Sequence, residues 1–140
     1  MTYGVSFVEI TAMERATQFR LTLRLLEYTP SRSERYHFRV HLETVEQFAA
    51  LPYALVVEHK ASGNMHTFHI RGITLSDTFG AHVGNAAYVE DISIKRDGEV
   101  RIIVTRASQM QAVPLVLEHG NVRLAEEGTG GFVEVRLLDE

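Results

Sequence analysis

Strict alternation of apolar and polar residues is the feature that most restricts how this chain can fold. Residues 19–25, FRLTLRL, put Phe19, Leu21, Leu23 and Leu25 on one side and Arg20, Thr22 and Arg24 on the other. Residues 36–42, YHFRVHL, repeat the pattern with Tyr36, Phe38, Val40 and Leu42 against His37, Arg39 and His41. A period of two fits a pleated strand with one face buried; a helix would scatter the same residues around its circumference. The turn-forming TPSRS between them predicts a hairpin.

Other strand pairs carry their own punctuation. ISIKRDGEVRII predicts a hairpin with a three-residue loop, Arg96-Asp97-Gly98, that sets Lys95 against Glu99, Ile94 against Val100 and Ile92 against Ile102, with Gly98 in the left-handed position. LVLEHGNVRLAE predicts a two-residue Gly120-Asn121 loop pairing His119 with Val122, Glu118 with Arg123 and Leu117 with Leu124. The following EEGTGG then turns the chain into FVEVRLL as a third meander strand. LVVEHKASGNMHTFHI predicts a loop around Ser62-Gly63 that pairs Leu55 with Ile70, Val57 with Phe68 and His59 with His66. Helical signals are short. Thr44 as N-cap, Gln47 at the capping-box position and Pro52 as a stop predict a short helix over 45–51. TAME (11–14) and SQMQ (108–111) read as single turns.

About nine or ten short strands with turns every 8–12 residues predict an all-β fold, an antiparallel sandwich or a closed barrel, with the helix covering one end. At 140 residues, 45% of them hydrophobic, the chain suffices for one domain over 1–140 with its own core. There is no cysteine, which excludes disulfides and thiolate metal sites. The first residues have no basic segment and no long apolar run, and no stretch approaches the length of a spanning helix. The expectation is a cytoplasmic protein with no membrane association.

Three surfaces are candidates for function. The first is the stretch LSDTFGAHVGNAAY, which does not alternate. Residues 76–86 read as a surface connection near the upper length of ordinary loops, with Gly80 or Gly84 at positive φ. Asp77, His82 and Asn85 supply polar groups, and Phe79 supplies apolar surface for a partner or a barrel end. The second is the outer face of the first hairpin. Arg20, Arg24, His37, Arg39 and His41 gather there as one cationic patch, in an N-terminal region where residues 1–41 hold six arginines against four glutamates. Guanidinium groups suit anions, but aromatic stacking residues are missing from that face, which disfavours nucleic acid. The third is the pair His59 and His66, read as a solvated cross-strand pair. His37 and His41 lie too far apart on one strand to share an ion.

No nucleophile and base are paired, and Gly128–Gly131 lack the lysine and the helix of a phosphate loop. The functional reading is therefore a non-enzymatic β-domain that works by binding or assembly, through self-association or a protein partner. No catalytic residue, metal site or cofactor is assigned. An anion- or single-stranded-nucleic-acid-binding module on the Arg/His face is one alternative. A small-molecule or metal-dependent enzyme at a barrel mouth, centred on His82, is the other.

Overall fold

The computed structural model describes residues 17–30, 35–48, 51–76, 84–95, 97–125 and 131–138. These contain nine strands and no helix: β1 (Phe19–Thr29), β2 (Arg35–Phe48), β3 (Tyr53–Ser62), β4 (Met65–Leu75), β5 (Gly84–Lys95), β6 (Gly98–Arg106), β7 (Gln109–Glu118), β8 (Asn121–Leu124) and β9 (Val133–Leu138). They form one sheet in the order β8-β7-β6-β4-β3-β5-β2-β1-β9. The sheet curls into a nearly closed barrel. The alternation of β1 and β2 becomes its inner face, where Phe19, Leu21, Leu23, Tyr36, Phe38, Val40 and Leu42 are buried. Phe68, Ile70, Ile92, Ile94, Val100, Ile102, Val104, Leu115 and Leu117 complete the core from the other strands.

The expected β1–β2 hairpin is present, with Leu21 opposite Leu42 and Leu23 opposite Val40. Several other expectations are corrected. Strands β5 and β6 do not pair. β5 lies between β2 and β3, with Ile94 opposite Tyr36 and Lys95 opposite Arg35. β6 lies between β4 and β7, so the β3–β4 hairpin separates β5 from β6. Alternation did not warn of this, because the inward residues of both strands reach the same core whichever neighbour they have. Gly98 does have positive φ, at 137°, but serves the crossover between distant strand positions.

The β3–β4 turn is Gly63-Asn64, giving His59 opposite Phe68 and Ala61 opposite His66. From Val57 onward the register is displaced by two residues, which keeps Val57, His59, His66 and Phe68 on their expected faces, and a bulge between Val56 and Val57 then sets Leu55 opposite Ile73 instead of Ile70. In β7–β8 the turn is His119-Gly120, with Leu117 opposite Val122 and Leu115 opposite Leu124. Both turn residues have positive φ, 49° and 83°, as the tightest hairpin turn requires.

The short helix expected over 45–51 is absent, because β2 continues to Phe48. Thr44, expected to cap that helix, instead accepts a hydrogen bond from the Ala86 N–H at 3.0 Å and donates to the Glu46 carbonyl at 2.8 Å. Its capping capacity is used across the sheet. Residues 109–111 likewise belong to β7, and Ala107 and Ser108 form the turn before it. Residues 11–14 lie outside the described residues.

β9 does not continue a meander from β8. It runs parallel to β1, Phe19 beside Val133. The barrel then closes between β9 and the β7–β8 hairpin without a full ladder. The Gln111 side chain stands in for a strand residue. Its Nε2–H donates to the Val133 carbonyl at 2.8 Å, and its Oε1 accepts the Val133 N–H at 3.0 Å. Apolar side chains, among them Leu23, Val122 and Leu137, line the rest of the seam. A Cβ on Gly131 would fall 1.7 Å from Gln111 Oε1, so only glycine leaves room for the clamp. Gln111→Ala strands a main-chain donor and acceptor and should lower stability by about 1–3 kcal/mol in urea unfolding. Gly131→Ala, which displaces the same amide, should cost a similar amount, and the double variant little more than either alone.

Candidate functional site: the split between β3 and β5

β3 and β5 are parallel neighbours joined by a single registered pair, Ala54 with Ala87. Beyond it both strands run toward the same end of the barrel with no further ladder between them. The wedge between them ends in a cleft of about 490 Å³ lined by Ala61, Gly63, Asn64, His66, Ser93, Ile94 and Lys95.

Side chains bridge the neck of this wedge. Alternation turns Leu55, Val57 and His59 of β3, His66, Phe68 and Ile70 of β4, and Ala86, Tyr88, Glu90, Ile92 and Ile94 of β5 to the inner face. Tyr88, Glu90, His59 and His66 are thereby carried inward among apolar neighbours. The Tyr88 hydroxyl donates a short hydrogen bond to Glu90 Oε1. Glu90 Oε2 lies 2.6 Å from His59 Nδ1, and His59 Nε2 lies 2.9 Å from His66 Nδ1. The His59 ring lies flat on Phe68, centroids 4.4 Å apart and planes 7° from parallel. His66 is buried, at 6% exposure.

Burial, and then its hydrogen bond to Glu90, push the Tyr88 hydroxyl above its usual range. Burial, and then the charge of His59, hold His66 below its ordinary 6.5, with Glu90 acting in the opposite sense. The sign for stability follows. Unfolded chains bind the His66 proton more readily, so the stability held by a neutral His66 is complete above pH 6.5 and is lost as pH falls through the lower folded value. Urea midpoints of the wild type should therefore drop more steeply on acidification than those of His66→Asn.

The sequence predicts His59 and His66 as a solvated cross-strand pair. They lie diagonally across the hairpin and inside the barrel wall. Among the described residues no group of three His, Asp or Glu side chains is arranged to hold a metal. Glu90 and Tyr88 were not singled out. The signal was present: in AAYVEDISIK the carboxylate of Glu90 has the same parity as Ala86, Ile92 and Ile94. A charged residue on an inward register needs a partner.

The other candidates are placed as follows. On the outer face of β1 and β2, Arg20 is 3.1 Å from Glu43 and 3.3 Å from Glu134, and Arg39 grips Asp91 at 2.9 Å. His41 lies 3.6 Å from Glu43, His37 is half-buried, and Arg24 stands opposite Arg39. Arg20 and Arg39 are thus committed to carboxylates of their own sheet. Asn85 belongs to β5 and donates to the Thr44 carbonyl at 2.6 Å, holding the start of β5 to β2. Gly84 has φ of 144°. Asp77, Phe79, Gly80 and His82 lie outside the described residues.

The comparisons add no identity: no protein-family model, curated protein or solved structure matches the chain. Among the described residues no helix is long and apolar enough to cross a membrane.

Proposed function

We propose that this protein is a binding module that takes an extended peptide segment of a protein partner into the split between β3 and β5. The observation that carries this reading is the single β3–β5 pair, Ala54 with Ala87, after which the ladder stops and the far ends of the two strands face a cleft instead of each other. Main-chain groups without sheet partners are a template for an added strand. The site is built for occupancy by backbone: Gly63 and Ala61 keep one wall low, and Ser93 and Asn64 offer short polar groups. The reading keeps the protein among binding domains and assigns no chemistry to it.

Selection of peptides from a displayed random library on the full chain, followed by hydrogen exchange, tests the proposal. The expected result is slower exchange in residues 57–62 and 89–95 when a selected peptide is added. Bridging Ala61→Cys and Ser93→Cys with a short bifunctional thiol reagent, in a chain with no cysteine of its own, should abolish capture. Peptides that bind the bridged and open proteins equally would sink the reading. A second copy acting as the donor would appear in sedimentation as a mass above 15.8 kDa.

A further inference from the structure

We propose that His66 Nε2 is the atom through which the cleft reads its ligand: an acceptor while the His66–His59–Glu90 chain is uncharged at its rings, and a donor once the chain takes up one proton. Near neutral pH the cleft then selects a group that donates a hydrogen bond at this point, a main-chain N–H, a hydroxyl or an amine. The place of the ligand rests on the split being its seat; the positions of the protons do not.

The argument runs outward from Glu90. A carboxylate only accepts, and it already receives the Tyr88 hydroxyl on Oε1. His59 Nδ1, 2.6 Å from Oε2, must therefore carry its ring proton. In a neutral imidazole that leaves a lone pair on His59 Nε2. His66 Nδ1, 2.9 Å away, must supply the proton between the two rings. A neutral His66 then has its lone pair on Nε2. This atom has no hydrogen-bond partner among the described residues, and none of their buried side-chain nitrogens is left unsatisfied. It is therefore open to the cleft that His66 lines.

One added proton reverses the sense of this atom by either of two routes. If His66 holds the charge, the proton sits on its Nε2. If His59 holds it, the Nδ1 proton of His66 passes to His59 Nε2, and His66 stays neutral with its remaining proton on Nε2. Both routes present N–H to the cleft. Titratable and charged groups stand on every flanking strand: His59 and Lys60 on β3, Tyr88, Glu90 and Lys95 on β5, and Arg101 on β6 beside Met65. Lys60, Lys95 and Arg101 are exposed, and only His59 and Glu90 act on the charge of His66. Burial favours a neutral His66, and with the His59 ring neutral as well the hydrogen bonds from Glu90 outward fix the acceptor form.

Long-range proton–nitrogen spectra of the ligand-free protein, labelled at histidine, test the proton positions. At pH 7.5 both rings should be protonated on Nδ1, and on acidification His66 Nε2 should gain a proton. Glu90→Gln, whose amide can donate or accept, should release the fixed tautomers without emptying the site. A wild-type His66 protonated on Nε2 at pH 7.5 overturns the proposal. Peptides selected at pH 7.5 that protect the split should weaken about tenfold once His66 is protonated, the loss of one good hydrogen bond. His66→Asn, which can keep the donor toward His59 but removes Nε2, should bind them as weakly at every pH. Split-bound peptides indifferent to both pH and His66→Asn also overturn it. Peptides that never protect the split overturn the peptide reading instead, and the tautomers decide the inference by themselves.

Discussion

Phe68→Ala should remove about 3–5 kcal/mol of stability, the usual cost of deleting a fully buried aromatic ring. Phe68 has no exposed surface. It is opposite His59 in the β3–β4 register and forms the floor under that imidazole, and its edge meets Tyr88 with centroids 6.4 Å apart. The cavity left behind would open directly beneath the polar chain and loosen the ring that links Glu90 to His66. Against a total of about 5–15 kcal/mol for a domain, a loss of this size brings the fold near its limit. Urea unfolding measures it. Arg39→Ala is the control, because its pair with Asp91 is exposed and its loss should leave the midpoint nearly unchanged. Equal midpoints for Phe68→Ala and the wild type would mean that β4 does not line the core.

Gly120→Ala should be nearly as damaging, for a reason of backbone and space. Gly120 has φ of 83°, where an L side chain costs about 1–2 kcal/mol. A Cβ there would also sit 2.8 Å from Tyr28 Cδ2, and overpacking of this kind adds about 1–3 kcal/mol. Tyr28 has little room to retreat, since its ring lies 4.7 Å from that of Tyr36. The Tyr36 hydroxyl accepts the Gly120 N–H at 2.9 Å and donates to Asp97 at 2.5 Å, so the β7–β8 turn, the β5–β6 crossover and β2 meet at one oxygen. The combined loss of about 2–5 kcal/mol should appear in the urea midpoint, and Tyr36→Phe, which removes the oxygen alone, should lose about 1–3 kcal/mol. An unchanged Gly120→Ala midpoint would refute the His119-Gly120 turn.

The strands and their inward faces were legible because alternation is a local property. Phe19 to Leu25 and Tyr36 to Leu42 could bury one side only as strands. Partnership was not legible to the same degree. Ile92 and Ile94 face the core equally well beside Val100 and Ile102 or beside Phe38 and Tyr36, and nothing in their neighbourhood prefers one. Parallel neighbours such as β1 and β9 have no turn to announce them. Thr44 shows how a local signal can mislead, because a hydroxyl able to cap a helix is equally able to satisfy Ala86 across a sheet. The site was half legible. The shared face of His59 and His66 survived the error in register, since a displacement of two residues preserves parity. Their position inside the wall did not follow from the hairpin alone. It depended on β5, which brings Glu90 from 31 residues away to meet His59.

The parallel pairing of β1 with β9 has a consequence for how the chain reaches this shape. Arg20 and its neighbour Glu134 are separated by 114 positions. On a ribosome, β1 emerges more than a hundred residues ahead of β9, and β9 can cover the edge of β1 only after that. Until then the molecule is an open sheet, with Leu23 and Val122 exposed along a seam that Leu137 has yet to fill. Loop closure over such a span must precede the contacts that reward it, which puts the barrel among the slow-folding topologies of milliseconds to seconds. β9 is thus the strand that covers the aggregation-prone edge of β1.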